Sequence, residues 1–122
     1  LMLSSGQPKQ EAGLLRLFWH EYYHFAEMKA GSYDDEHWDK RFRGYDNQYN
    51  FTGNNIQQLG SGKIGFINLY GQSYAREERA EIAAWLLTDQ KKLDDYISSQ
   101  HDITLNEKVI FVNEKLKRIG LR

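Results

Sequence analysis

No cysteine occurs in the 122 residues. Disulfide frameworks, thiolate metal sites and thiol nucleophiles are therefore excluded, and any metal must be held by histidine and carboxylate groups. Proline occurs once, as Pro8, so almost nothing in the chain forbids helix on proline grounds. No apolar run approaches the ~20 residues of a membrane-spanning helix. Residues 1–6 lack the basic start and apolar stretch of a signal peptide. An excess of one charge is also missing: 16 Lys+Arg stand against 17 Asp+Glu, a net charge of -1. That balance excludes the strongly basic footprint of a nucleic-acid partner and a polybasic membrane patch.

What is present is a folding composition. Hydrophobic residues make up 40% and aromatics 14%, enough to argue against disorder although the mean hydropathy is -0.74. A chain of this length buries about two-thirds of its unfolded surface, which suits one domain over residues 1–122. Pro8 fits the first turn of a helix running over residues 8–29. The apolar side chains there, from Leu14 to Met28, surround the wheel, so this helix is expected to be buried in the middle of the domain. Residues 30–62 carry five glycines and several asparagines and read as a long loop with one short helix near residues 34–42. Residues 63–69 read as a short extended segment. Residues 76–88 have helical spacing, residues 93–97 suggest a further helical stretch, and a last helix is expected from an N-cap near Thr104 to Gly120. The chain is thus expected to be mainly α with little strand.

His20-Glu21-Tyr22-Tyr23-His24 is an H-E-x-x-H motif inside the first predicted helix. Residues four apart share one helical face, so both imidazoles can point at one ion. Zinc accepts neutral imidazole nitrogen, and a catalytic site keeps three protein ligands and one open position. Glu21 is offset around the helix and can reach a water there as general base. With this chain's His and Glu content, about 0.01 chance occurrences of the motif are expected. The competing reading is a pair of core histidines, with Glu21 pairing to Arg16 or Lys29.

A third ligand decides between these readings. The longer histidine-rich continuation of some zinc proteases would need Gly at position 27 and His or Asp at position 30, where Glu27 and Ala30 stand. A Gly-Thr-x-Asp ligand motif is also missing, since the nearest stretch, Gly65-Phe66-Ile67-Asn68, has no acid. What remains is a glutamate on the second long helix: Glu77, Glu78 or Glu81. Glu77 and Glu81 lie four apart, so one can bind zinc while the other orients a ligand histidine. A solvated acidic helix start, favoured by the macrodipole, explains Glu77 and Glu78 equally well.

Gly65-Phe66-Ile67-Asn68-Leu69-Tyr70, followed by Glu77-Glu78-Arg79-Ala80-Glu81, resembles the second half of the anthrax lethal factor catalytic domain and of the bacterial surface zinc metallopeptidases related to it. In those proteins the H-E-x-x-H helix is followed by Gly-Phe-x-x-x-Tyr and a helix opening Glu-x-x-Ala-Glu. The resemblance spans about residues 14–119, with the middle loop unmatched, and Arg79 replaces a usual aromatic. It implies an α+β zincin-like fold of the Glu-zincin type, with zinc on His20, His24 and Glu77. It also implies Glu21 as general base, Tyr70 as oxyanion donor and Glu81 as the group orienting a ligand histidine. Zincins place strands before the active-site helix, so with nineteen residues ahead of His20 the chain is expected to be either a trimmed catalytic half, residues 1–4 being the end of an edge strand, or a minimal zincin. The implied location is extracellular or at the cell surface.

The expected activity is zinc-dependent hydrolysis of peptide bonds in a peptide or protein substrate through activated water. The alternatives are a non-catalytic binding module, with structural zinc or none, and a purely structural helical domain. His37 reads as a surface group in preference to a further ligand, and His101 and Asp94-Asp95 as solvated. Trp38, Tyr45, Tyr49 and Phe51 either line a substrate cleft or anchor the long loop.

Overall fold

A computed structural model of the chain describes residues 7–31, 34–42, 49–51 and 56–122, with side chains from residue 11 onward. The described residues form four helices and no strand: α1 (Gln7–Lys29), α2 (Asp35–Arg41), α3 (Ala75–Gln100) and α4 (Ile103–Arg118). The molecule is mainly α, as its composition leads one to expect. The edge strand expected at residues 1–4, and Tyr45, lie outside the described residues.

Residues 63–69 depart from expectation, forming a succession of turns in place of an extended segment. Their backbone is pinned by side chains: Asp102 Oδ2 accepts from Gly65 N at 2.7 Å, and Glu78 Oε2 accepts from Ile67 N at 3.0 Å. Three- and four-residue closures such as Phe66 N to Lys63 O complete the winding. The two helical stretches expected at 76–88 and 93–97 are one element, interrupted at Asp89 (φ -157°, ψ 70°). Asp89 Oδ1 accepts from Lys92 N and so caps the second half of α3. The cap of α4 lies two residues before Thr104, where Asp102 accepts from Leu105 N at 3.0 Å.

The core sits between α3, α4 and α2. It is built from Trp38, Phe42, Ile67, Ile82, Trp85, Leu93, Leu105, Val112 and Leu116, with Tyr23 of α1. Helix α1 packs chiefly on α3, and α3 in turn on α4. The expectation that α1 is buried all round is not met. Its buried positions, His20, Tyr23 and Glu27, make a single stripe, while Leu14, Leu17, Phe18, Phe25 and Met28 are each about half exposed or more. Apolar composition records what a helix can bury. What it does bury depends on its neighbours, and α1 meets its main one on one side only.

No helix among the described residues is long and apolar enough to cross a membrane.

Candidate metal centre

The i, i+4 spacing of His20 and His24 puts both rings on the side of α1 that meets the start of α3, ring centroids 4.8 Å apart. Their Nε2 atoms face each other at 3.2 Å. Glu77, in the first turn of α3, places one carboxylate oxygen 2.6 Å from His24 Nε2 and the other 3.1 Å from His20 Nε2. One ligand atom from each of the three lies within 4.8 Å of the other two, and the group is the candidate metal cluster among the described residues.

The other ring nitrogen of His20 donates to Glu81, Nδ1 lying 2.6 Å from Oε2. Glu81 sits one turn after Glu77 on α3 and is buried, as is His20. With Nδ1–H held in this way, release of the Nε2 proton shared with Glu77 would leave the Nε2 lone pair facing Glu77 and His24, the tautomer that metal ligation requires. Two imidazole nitrogens and a carboxylate converging on one point are the borderline-soft, three-ligand donor set of catalytic zinc, so the residues fit that ion.

The electrostatics agree with the geometry. Burial disfavours a charged His20, but hydrogen bonds to Glu77 and Glu81 outweigh it and raise its pKa from 6.5 to about 9. For Glu77, burial opposes ionisation, and hydrogen bonds from His20, His24 and Tyr70 overcome it, holding the carboxyl well below the usual carboxylate range. The centre is thus a pocket of concentrated negative potential that takes up a proton when no other cation competes.

Tyr70 stands beside the cluster, its ring edge-on to His20 at 5.4 Å and its hydroxyl hydrogen-bonded to Glu77. Burial and the neighbouring Glu77 carboxylate push the phenol up, so it stays a proton donor. The turn carrying it is compact. A Cβ on Gly71 would meet Ile67 Cγ2 at 2.9 Å and Asn68 Oδ1 at 3.1 Å, which explains the glycine that follows Tyr70. Glu21 projects outward, with its side chain 67% exposed and Oε1 4.0 Å from His20 Nε2. Neither of its expected partners of the competing reading holds it there: Arg16 lies over the Trp85 ring at 4.1 Å, and Lys29 faces the Phe25 ring. Two open depressions lie nearby, the first bordered by Glu77 of the cluster and the second by Glu21. One of about 390 Å³ is lined by Asp35, Asp39, Tyr74 and Glu77, and one of about 460 Å³ by Leu14, Leu17, Phe18, Glu21 and Tyr22.

All six residues singled out, His20, Glu21, His24, Tyr70, Glu77 and Glu81, therefore gather at one place. The solvated acidic helix start does not describe Glu78, which is wholly buried and paired with Lys108 at 2.7 Å. Arg79 is buried as well and pairs with Glu27 of α1 and Asp35 of α2. His37 is exposed and hydrogen-bonds Asp34, and His101 is exposed at the end of α3. Trp38 and Tyr49 act as anchors: Trp38 is buried and donates to Tyr49 Oη, and Tyr49 donates to Glu78. Phe51 is exposed and stacks on Tyr74. Sequence reasoning passed over Asn68, whose side chain contacts Glu81 at 2.7 Å, because a neutral amide between two turns carries no motif. In comparisons with known proteins, no family model, no curated protein and no solved structure matches this chain.

Proposed function

We propose that this chain is a zinc-dependent metallopeptidase domain of the Glu-zincin type, α1 serving as the active-site helix of a zincin-like fold. The observation that carries the reading is the convergence of His20 Nε2, His24 Nε2 and the Glu77 carboxylate within 4.8 Å, with His20 Nδ1 tied to Glu81. An exported or cell-surface location belongs to the same reading, through the resemblance.

His20, His24 and Glu77 hold the ion, and Glu81 keeps His20 in the ligating tautomer. Bound zinc supplies a Lewis acid that polarises the scissile carbonyl and acidifies a water molecule. Glu21, exposed and at the rim of the cluster, accepts the proton of the attacking water and delivers it to the leaving amine nitrogen, so that one water is consumed per bond cleaved. Tyr70 donates a hydrogen bond to the carbonyl oxygen as negative charge develops on it.

Elemental analysis of the purified chain tests the metal, and hydrolysis of a fluorogenic peptide library tests the reaction. Near one zinc per chain, largely lost in Glu77→Ala, is expected. Glu21→Gln should keep the zinc and lose at least about 10²-fold in turnover. Stoichiometric zinc without cleavage of any peptide would leave a non-catalytic zinc-binding module. No zinc after reconstitution would overturn the reading.

A further inference from the structure

Asn68 is fully buried in the turn that precedes α3, and each of its side-chain polar groups is engaged. Its Nδ2 donates to Glu81 Oε1 at 2.7 Å and to the Gln57 carbonyl at 3.0 Å. Its Oδ1 accepts from Gly71 N at 2.7 Å. Glu81 in turn spends its second oxygen on His20 Nδ1, at 2.6 Å. A continuous chain of hydrogen bonds therefore runs from the Gly71 amide through Asn68 and Glu81 to His20. Tyr70 lies inside the three-residue turn that Asn68 closes.

The amide is chemically required at both ends of this arrangement. A buried carboxylate with one oxygen unpaired costs the desolvation of that oxygen and is free to rotate away. Only a donor can hold Glu81 Oε1, and only an acceptor can take the Gly71 N–H. Asparagine offers both in one rigid plane.

On the reading of His20, His24 and Glu77 as a zinc centre, we propose that Asn68 is a positioning residue of that centre. It locks the Glu81 carboxylate so that His20 Nε2 points at the ion, and with its other face it sets the turn that presents Tyr70. Metal affinity and the placement of the phenol donor are thereby coupled through one side chain. Orienting groups of this kind typically govern 10- to 100-fold in metal affinity.

The test is the zinc dissociation constant of the full chain, measured by competition with a chromophoric chelator, alongside the visible spectrum of the cobalt(II) form. Asn68→Asp keeps Oδ1 for Gly71 but sets a carboxylate against Glu81, so zinc should bind 10- to 100-fold more weakly and the cobalt bands should shift. Glu81→Gln alone should weaken binding similarly, because its amide must either face the Asn68 donor or turn from His20. In the double variant Asn68→Asp with Glu81→Gln the donor and acceptor exchange places, and affinity should recover at least about fivefold over the weaker single variant. If one single variant fails to fold, the other and the double still decide. A purely structural role lowers the melting temperature and leaves the affinity and cobalt spectrum of the folded protein unchanged. Affinities within threefold of wild type in the folded variants, or no recovery in the double, would overturn the proposal. A wild type that binds neither zinc nor cobalt overturns instead the metal-centre reading, and the role of Asn68 with it.

Discussion

Tyr70 is one of eight tyrosines, and nothing in its own chemistry sets it apart until it is placed beside His20 and Glu77. Replacing it by phenylalanine keeps the ring packed edge-on to His20 and removes only the hydroxyl. If that hydroxyl stabilises the developing oxyanion, Tyr70→Phe lowers kcat by about 10²-fold or more, with zinc content and KM near wild type. Steady-state kinetics with parallel metal analysis measure this, and an unchanged kcat would remove Tyr70 from the reaction. The grouping of His20, Glu21 and His24 was legible because it is encoded in spacing along one helix. Glu77, Tyr70 and Glu81 lie 46 to 61 residues further along; the four-residue spacing offered Glu77 and Glu81 as a pair, while only the resemblance told their parts apart and picked out Tyr70. The place of Asn68 was illegible, since it is defined by a contact with Glu81 thirteen residues away that no spacing rule signals.

The helices were largely legible because periodicity and caps are local signals, but their neighbours were not. Apolar residues on every side of α1 implied a buried helix, whereas only the stripe around His20, Tyr23 and Glu27 is covered. The start of α3 shows the opposite error. Glu78 falls in what also reads as a solvated acidic helix start, yet it is wholly buried and matched by Lys108, and Arg79 beside it is buried against Glu27, both partners coming from distant elements. Lys108 Nζ bonds both Glu78 and the Gly65 carbonyl, joining α4 and α3 to the turns leading to Tyr70. Burial pushes the Glu78 carboxyl up even though Lys108, Tyr49 and the Ile67 N–H favour its charged form, so its ionisation depends on them. Lys108→Met, which strands that carboxyl, should destabilise the fold by about 3–5 kcal/mol in urea titrations. Phe18→Ser, on the uncovered face of α1, should change stability by less than about 1 kcal/mol. Equal costs for the two would mean that the burial pattern described for α1 and α3 is wrong.

At the scale of the whole molecule, ion pairs among the described residues connect all four helices. Glu27 of α1 accepts from Arg79 of α3 and lies 3.2 Å from Lys115 of α4, and Lys115 and Arg118 both reach Asp34 at the start of α2. Asp35 joins the network from α2 through Arg79 at 2.6 Å and Arg76 at 2.6 Å. Neutralising any carboxylate in this set therefore loosens the packing of one helix on another. For Asp35, burial favours the neutral acid, but the hydrogen bonds from Arg76 and Arg79 prevail and hold its carboxyl below the ordinary 3.8. A carboxyl whose pKa is depressed by folding contributes stability that is present above its unfolded value and is lost as pH falls through the folded one. Because Asp35 is more than a third exposed, solvent screens the contribution, which should not exceed about 1 kcal/mol. Asp35→Asn should thus be less stable than the wild type by up to that amount at neutral pH. The two proteins should converge from roughly pH 5 downward, as the wild-type carboxylate takes up its proton. Urea unfolding at intervals between pH 2 and 7 measures the gap, and a gap that stays constant through the acid limb would show that Asp35 acts by its shape and not by its charge.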